Sequence, residues 1–238
     1  MIPFSHRNML ASAERVQRWF ALGRDDRCLS ATPAYYAHGL MMTVLIPLLT
    51  GGSIAFPLDP LNLDVDQWFG ELAPTWFSAG PTLHRYVLDK ITSMPNARTM
   101  HSLRLITSAG APLADTICKG LQDALGVPVL EHYGASEAGQ ISANLPAQHL
   151  ARPGTCGIPS SDIVSVRAEN GRQVAPGEMG EVWVRGPTVT SGYIDAPSLN
   201  EAAFADGWFR TGDLASLDED GFPGSRSEER RVGKECRS

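Results

Sequence analysis

The sequence predicts an α/β fold, a mainly parallel sheet with helices on its faces, followed by a small antiparallel β unit. Three observations carry that prediction. Five short apolar runs, at 27–32, 53–57, 75–79, 103–108 and 128–131, are separated by segments long enough for a crossover helix. Past about residue 150, glycine and proline recur every few residues and the apolar runs begin to alternate with polar residues. The 238 residues are 43% apolar, enough to bury a sizeable core.

The elements follow in order. Residues 6–22 place Met9, Ala13, Val16 and Phe20 at helical spacing with polar residues between them, which predicts an amphipathic helix. The five apolar runs are the strands of the parallel sheet. The clearest crossover helix is Leu113 to Leu125, stopped by Gly126 and by Pro128 soon after. Val127-Pro128-Val129-Leu130 then reads as a strand whose carboxyl end carries a polar motif. In the later part, Ile163-Val164-Ser165-Val166 and Glu181-Val182-Trp183-Val184 alternate, and Asn170-Gly171 is a hairpin signal. We therefore expect an α/β part at 1–150, a β-rich part at 151–222 and a tail at 223–238.

That tail is unlike the rest. From Arg226 to Ser238 eight of thirteen residues are charged and Val232 is the only aliphatic one, so a solvated, disordered segment is expected. The stretch also resembles the conceptual translation of a sequencing-library adapter, and it is expected to be non-native. Without it the formal charge of −6 becomes −8, because five basic and three acidic residues leave with it.

An acidic chain without a Lys/Arg cluster before its C-terminus argues against a nucleic-acid surface and for small-molecule partners. Cys28, Cys118, Cys156 and Cys236 are scattered, with no metal-ligand spacing, which suits reduced thiols in the cytoplasm. The longest apolar run, Leu40 to Leu49, contains Thr43 and Pro47 and is too short to span a bilayer. The first residues, Met1-Ile2-Pro3-Phe4-Ser5-His6-Arg7, show no secretory signal.

Two polar motifs about 75 residues apart carry the functional signal, His132-Tyr133-Gly134-Ala135-Ser136-Glu137 and Phe209-Arg210-Thr211-Gly212-Asp213-Leu214. With them come Thr107-Ser108-Ala109-Gly110-Ala111-Pro112-Leu113, Gly177-Glu178-Met179-Gly180-Glu181-Val182-Trp183-Val184-Arg185-Gly186 and Ser191-Gly192-Tyr193, in that order along the chain. Together they resemble the signatures of the acyl-adenylate-forming (AMP-binding) superfamily, most of all its acyl-CoA synthetases. The likeness covers about residues 3–222. It implies the sheet-and-helix layers of that family's N-terminal domain, with the β subdomain after them.

The resemblance implies an ATP- and Mg²⁺-dependent ligase that activates a carboxylate as acyl-AMP and passes the acyl group to a thiol, coenzyme A, in fatty acid or related acyl metabolism. A carrier-protein phosphopantetheine is the alternative acceptor, and a non-catalytic pseudo-ligase the alternative role. By the same resemblance Tyr133 stacks on adenine beside Gly134, and Gly110, Ala111 and Pro112 form the adenine-side loop. Ser136 bonds a phosphate, Glu137 holds magnesium and Asp213 holds the ribose. Ser136 stands where many members have Thr, which keeps the hydroxyl. The later motifs Gly177–Gly186 and Ser191–Tyr193 read as scaffold.

Each motif also has a plain structural reading, in which 133–137 is a polar turn, Gly110 a steric strand–helix turn and Asp213 a cap on its own backbone. For the acyl pocket the likeness points to Pro33–Leu40, where Tyr36 occupies the usual His position and His38 follows two residues on. Tyr35, Tyr36 and His38 fit a polar-edged helix start equally well. Residues 33–42 contain no acid, which disfavours an amino-acid substrate. Relatives carry a Gly-rich phosphate loop before the segment matching Ile2–Asn8, and a mobile domain with a catalytic Lys after the segment matching Asp218–Phe222. The chain accordingly reads as an internal fragment, inactive alone, with Met1 an internal methionine.

Overall fold

The computed structural model describes residues 1–59, 62, 64–146, 154–159, 163–219 and 223–224; the charged stretch Arg226–Ser238, with Cys236, lies outside them. Helix α1, His6–Phe20, opens at Ser5, whose hydroxyl accepts from the Asn8 backbone N–H at 3.2 Å while the Asn8 side chain accepts from Ser5 N at 2.9 Å. It ends two residues before the expected point, because Ala21 takes a left-handed conformation with φ of 48°.

The five apolar runs become β1 (Arg27–Leu29), β2 (Ser53–Ala55), β3 (Trp76–Ala79), β4 (Leu105–Ser108) and β5 (Val129–Ala135). They pair in parallel in the order β2-β1-β3-β4-β5. Neighbouring residues point to opposite faces. Cys28, Trp76, Leu105 and Leu130 pack with Ala13, Val16 and Phe20 of α1, while Leu29, Phe77, Ile106 and Val129 pack under α3 (Pro81–Ile91) and α4 (Asp115–Leu125). Both faces are covered, so the runs are continuously apolar rather than alternating. The run at 40–49 forms a π-helical segment, Gly39–Leu45, continuing into α2, Ile46–Leu49, and its Met42 and Ile46 join the α1 layer.

Helix α4 stops where expected, with Gly126 left-handed at φ 73° and its N–H bonded to Gln122 O at 2.8 Å. It starts at Asp115 rather than Leu113, because Ala114 is extended, with ψ of 134°, and forms the N-cap; the Leu113 N–H before it donates to Glu131 Oε2 at 3.1 Å. Strand β5 runs five residues beyond Leu130, turns over Ser136–Ala138 and returns as the antiparallel β6, Gly139–Ala143. A further strand, β7 (Ile158–Pro159), pairs with β6, so the large sheet takes in residues past 150.

The second sheet holds β8 (Val164–Arg167), β9 (Gly180–Val184), β10 (Phe204–Ala205) and β11 (Trp208–Leu217) in the antiparallel order β10-β11-β9-β8, with β12 (Pro223–Gly224) on β11 and α5 (Pro197–Ala203) leading into β10. The Asn170-Gly171 turn forms, with Gly171 at φ 79°, but its return arm makes only the isolated bridge Arg167↔Gln173. The full partner of β8 is β9.

The two sheets meet at the β5–β6 hairpin, where Ala138 and Ile141 pack against Val182, Val184, Phe209 and Ala215. Helix α1 fastens the joint. The buried Arg15 donates through Nη1 to Gln140 O at 2.7 Å and to Thr188 Oγ1 at 3.2 Å, and Asn8 Nδ2 donates to Pro187 O at 2.7 Å and Val189 O at 2.9 Å.

Candidate active site

The alternation along β5 sorts its polar residues by face. Val129, Glu131 and Tyr133 share the α4 face, and Leu130 and His132 share the α1 face. On the α4 side, the Leu113–Glu131 bond ties the loop Gly110-Ala111-Pro112 to β5. Burial raises the Glu131 pKa, opposed by the backbone bonds it accepts from Leu113 and Gly154. Gly110, Ala111 and Pro112 are exposed, and Gly110, at φ 90°, has no heavy atom within 4 Å of the position a Cβ would take. That is an open cradle at the carboxyl end of β4, where open α/β sheets receive ligands.

Asp213 reaches β5 from the second sheet through a bulge. On β11, Arg210 pairs with Trp183 and Leu214 with Glu181, so Thr211-Gly212-Asp213 stand opposite Val182. The buried Thr211 hydroxyl donates to Val182 O at 2.8 Å and accepts from Asp213 N at 3.1 Å, and Gly212 takes φ 76°. Thr211, not Asp213, therefore caps this turn. The Asp213 carboxylate is left to accept the Tyr133 hydroxyl, at 2.6 Å across 80 residues of chain. Burial, and then the Asp213 charge, push the Tyr133 pKa well up, so its hydroxyl stays a donor.

Gly134 has a tighter local reason than nucleotide approach. A Cβ there would lie 2.6 Å from Gly139 O across the hairpin. Ser136 is exposed in the hairpin turn, and Glu137 beside it is half-buried. Glu137 Oε1 accepts the Tyr193 hydroxyl at 2.7 Å and its backbone carbonyl accepts from Thr190 N at 2.8 Å. Burial, then the bond to Glu137 and its charge, raise the Tyr193 pKa. Sequence reading set Tyr193 aside as scaffold; the structure puts its hydroxyl on a predicted site residue.

On the α1 side the structure separates the two pocket candidates. Tyr36 lies at the surface, 58% exposed and ring to ring with Tyr35 at 4.5 Å. His38 turns inward, its Nε2 2.9 Å from Ser78 Oγ and its ring stacked 5.7 Å from His132. Ser78 also accepts from Thr107 Oγ1 at 2.7 Å, and His132 Nδ1 meets Gln140 Oε1 at 2.6 Å. Burial depresses both imidazoles, His38 to about 4 and His132 to about 3, the latter also disfavoured by His38, so both are neutral near pH 7.

This buried polar line runs across the sheet, from His38 in the segment after β1 through Ser78 on β3, Thr107 on β4 and His132 on β5 to Gln140 on β6. The sequence reading missed Ser78, Thr107, His132 and Gln140 as one group. Its signal was the pair of polar residues, Ser78 and Thr107, interrupting two apolar strands at matching register.

Among the described residues no cluster of three or more His, Cys, Asp or Glu could hold a metal. A lone carboxylate at Glu137 nevertheless suits magnesium, which takes one or two protein carboxylates and completes its shell with phosphate and water. No described helix is long and apolar enough to cross a membrane.

Comparisons with known proteins agree with this fold. The sequence is 35% identical over 225 residues to the "Probable CoA ligase CCL9" of Humulus lupulus and 33% identical to an oxalate–CoA ligase of Arabidopsis thaliana, matches covering 93% of this chain and 43% and 44% of those proteins. The chain thus spans less than half the length of these relatives. The fold superimposes on ATP-bound MatB from Rhodopseudomonas palustris with a TM-score of 0.80 at 28% identity, covering 93% of this chain and 44% of that one. Unliganded o-succinylbenzoate coenzyme A synthetase from Bacillus subtilis gives 0.81 at 27% identity, covering 93% and 46%. Residues 1–194 match the family described as AMP-binding enzyme, and on that match the chain belongs to the AMP-binding enzyme family.

Proposed function

We propose that this chain forms the nucleotide- and acyl-binding part of an acid–thiol ligase that uses ATP and Mg²⁺ to join a small-molecule carboxylate to coenzyme A. The observation that carries the reading is the Tyr133–Asp213 bond, which brings two motifs 80 residues apart together. Adenine lies against Gly110, Ala111 and Pro112 with Tyr133 stacked on it, and Asp213 accepts the ribose hydroxyls. Ser136 donates to phosphate. Glu137 holds magnesium, which when bound offsets the charge of the phosphates. The acyl group takes the opposite face of β5, near His38 and the entrance marked by Tyr36.

This division aims a carboxylate from the α1 side at the α-phosphate on the α4 side, both meeting at the end of β5. A carboxylate oxygen attacks the α-phosphorus and pyrophosphate leaves; a thiolate then attacks the acyl carbon and AMP leaves. The protein's share is orientation and fixed dipoles. Coenzyme A as acceptor is supported by the names of the relatives, a probable CoA ligase and an oxalate–CoA ligase.

Binding of AMP to the chain, followed by calorimetry, tests the nucleotide half. Asp213→Asn removes the charge that accepts the ribose hydroxyls and is expected to weaken AMP about 10- to 100-fold, as for charged hydrogen bonds. A change below about twofold in a folded variant would count against the assignment.

A further inference from the structure

We propose that Tyr193 is a positioning residue, its hydroxyl aiming the Glu137 carboxylate at the cation that accompanies the nucleotide. The inference rests on the reading of Glu137 as the magnesium ligand and deepens it. Glu137 stands in a three-residue turn at the end of a hairpin, on a long side chain with considerable rotamer freedom. Held only by its own backbone, such a carboxylate would sample many directions. The Tyr193 hydroxyl, 2.7 Å from Oε1, selects one. A carboxylate has about four lone-pair sites, so accepting the Tyr193 hydroxyl does not by itself exclude a cation.

Tyr193 is itself held by α5, the helix that leads into β10. Asn200 on α5 accepts from Tyr193 N at 2.6 Å and donates to Tyr193 O at 2.9 Å, a two-way clasp on the backbone of one residue. Gly192 makes room for it: at φ 130° it carries no Cβ, and one placed there would lie 2.9 Å from Asn200 Oδ1. The tyrosine ring stands edge-on to Phe204 at 5.9 Å. Two residues upstream of Gly192, Thr190 N bonds the Glu137 carbonyl at 2.8 Å, so the same strand of chain grips both the backbone and the carboxylate of Glu137. Partners that orient a metal-binding side chain commonly change metal affinity by about 10–100-fold when removed.

Tyr193→Phe keeps the ring, the Phe204 contact and the Asn200 clasp, and deletes only the hydroxyl. The probe is Mn²⁺ added to chain and ATP, read by water-proton relaxation, alongside metal-free ATP binding and urea unfolding of each variant. Tyr193→Phe is expected to weaken Mn²⁺-dependent ATP binding about tenfold, with metal-free ATP binding and the urea midpoint unchanged. Asn200→Ala should move the same quantity in the same direction, and Glu137→Gln should remove the metal dependence. If Glu137→Gln removes it and Tyr193→Phe does not weaken it, the positioning role fails while the metal reading stands. If Glu137→Gln has no effect, the metal reading fails first and takes this inference with it. If Tyr193→Phe weakens metal-free ATP binding equally or lowers the urea midpoint alike, Tyr193 is only structural and the proposal is overturned.

Discussion

Acidification should weaken this fold through its buried imidazoles, and His132 gives the clearest case. Its side chain is sealed between Phe20, His38 and Gln140, with Nδ1 2.6 Å from Gln140 Oε1 and the residue 3% exposed. Burial, then His38 close by, lower its pKa from 6.5 to about 3. Between those values the unfolded chain binds a proton that the native state refuses, so the contribution to stability is complete above pH 6.5 and is lost as pH falls toward 3. By pH 5 this one group has cost about 2 kcal/mol of the stability present at pH 7. His38 and His84, each lowered to about 4 mainly by burial, act with the same sign.

Urea unfolding followed by the fluorescence of the buried Trp68 and Trp76 at pH 7 and pH 5 measures the drop. His132→Gln, which carries no titrating group, should start less stable at pH 7 and lose about 2 kcal/mol less on going to pH 5. An equal drop in parent and variant would refute the reasoning. So would an imidazole resonance of His132 titrating near 6.5 in the folded chain.

Two further perturbations probe the frame around the site. Arg104 grips Asp26 through Nε at 2.7 Å and Nη2 at 2.8 Å and also donates to Phe20 O and Ala21 O at the end of α1. Arg104→Met should cost about 2 kcal/mol at pH 7. Burial raises the Asp26 pKa, but bonds from Arg104, Thr75 and Gly23 outweigh it, and the net shift is below 3.8. The pair's contribution is thus present above that value and lost below it, so urea midpoints of parent and variant should converge as pH falls under 3.8. Gly39→Ala would put a Cβ 2.1 Å from Pro33 O and 2.8 Å from Thr32 O, backbone atoms that cannot step aside. It should lower the melting temperature by more than about 6 °C, whereas Gly171→Ala, strained at φ 79° but with open space around it, should cost about 1 kcal/mol, or roughly 3 °C.

Sequence order and apolar pattern determined the parallel half of the fold. Runs such as Trp76-Phe77 and Leu105-Ile106 are apolar at consecutive positions, which only a strand covered on both faces requires, and Gly126 ends α4 by a local φ that needs no neighbour. The polar motifs announced the candidate residues for the same reason: carboxylate, hydroxyl and glycine at fixed spacing are local chemistry. The antiparallel return of β5 through β6 was not legible, because Gly139–Ala143 has neither a long apolar run nor a turn dipeptide before it. Likewise the Asn170-Gly171 turn is real, but its return arm adds only the bridge Arg167↔Gln173 to one edge of β8, while the more distant β9 pairs along the whole of the other edge.

What only the tertiary structure decided is which groups meet. A bulge in β11 carries Asp213 to Tyr133, and a clasp on α5 carries Tyr193 to Glu137, contacts 80 and 56 residues apart that no local pattern encodes. Tyr36 and His38, two residues apart, part company: Tyr36 goes to water, and His38, at the N-cap of the Gly39–Leu45 segment, turns in to Ser78. Local sequence fixes backbone geometry through sterics and periodicity. Partner choice across two sheets follows from how those sheets pack, and packing is a property of the whole chain.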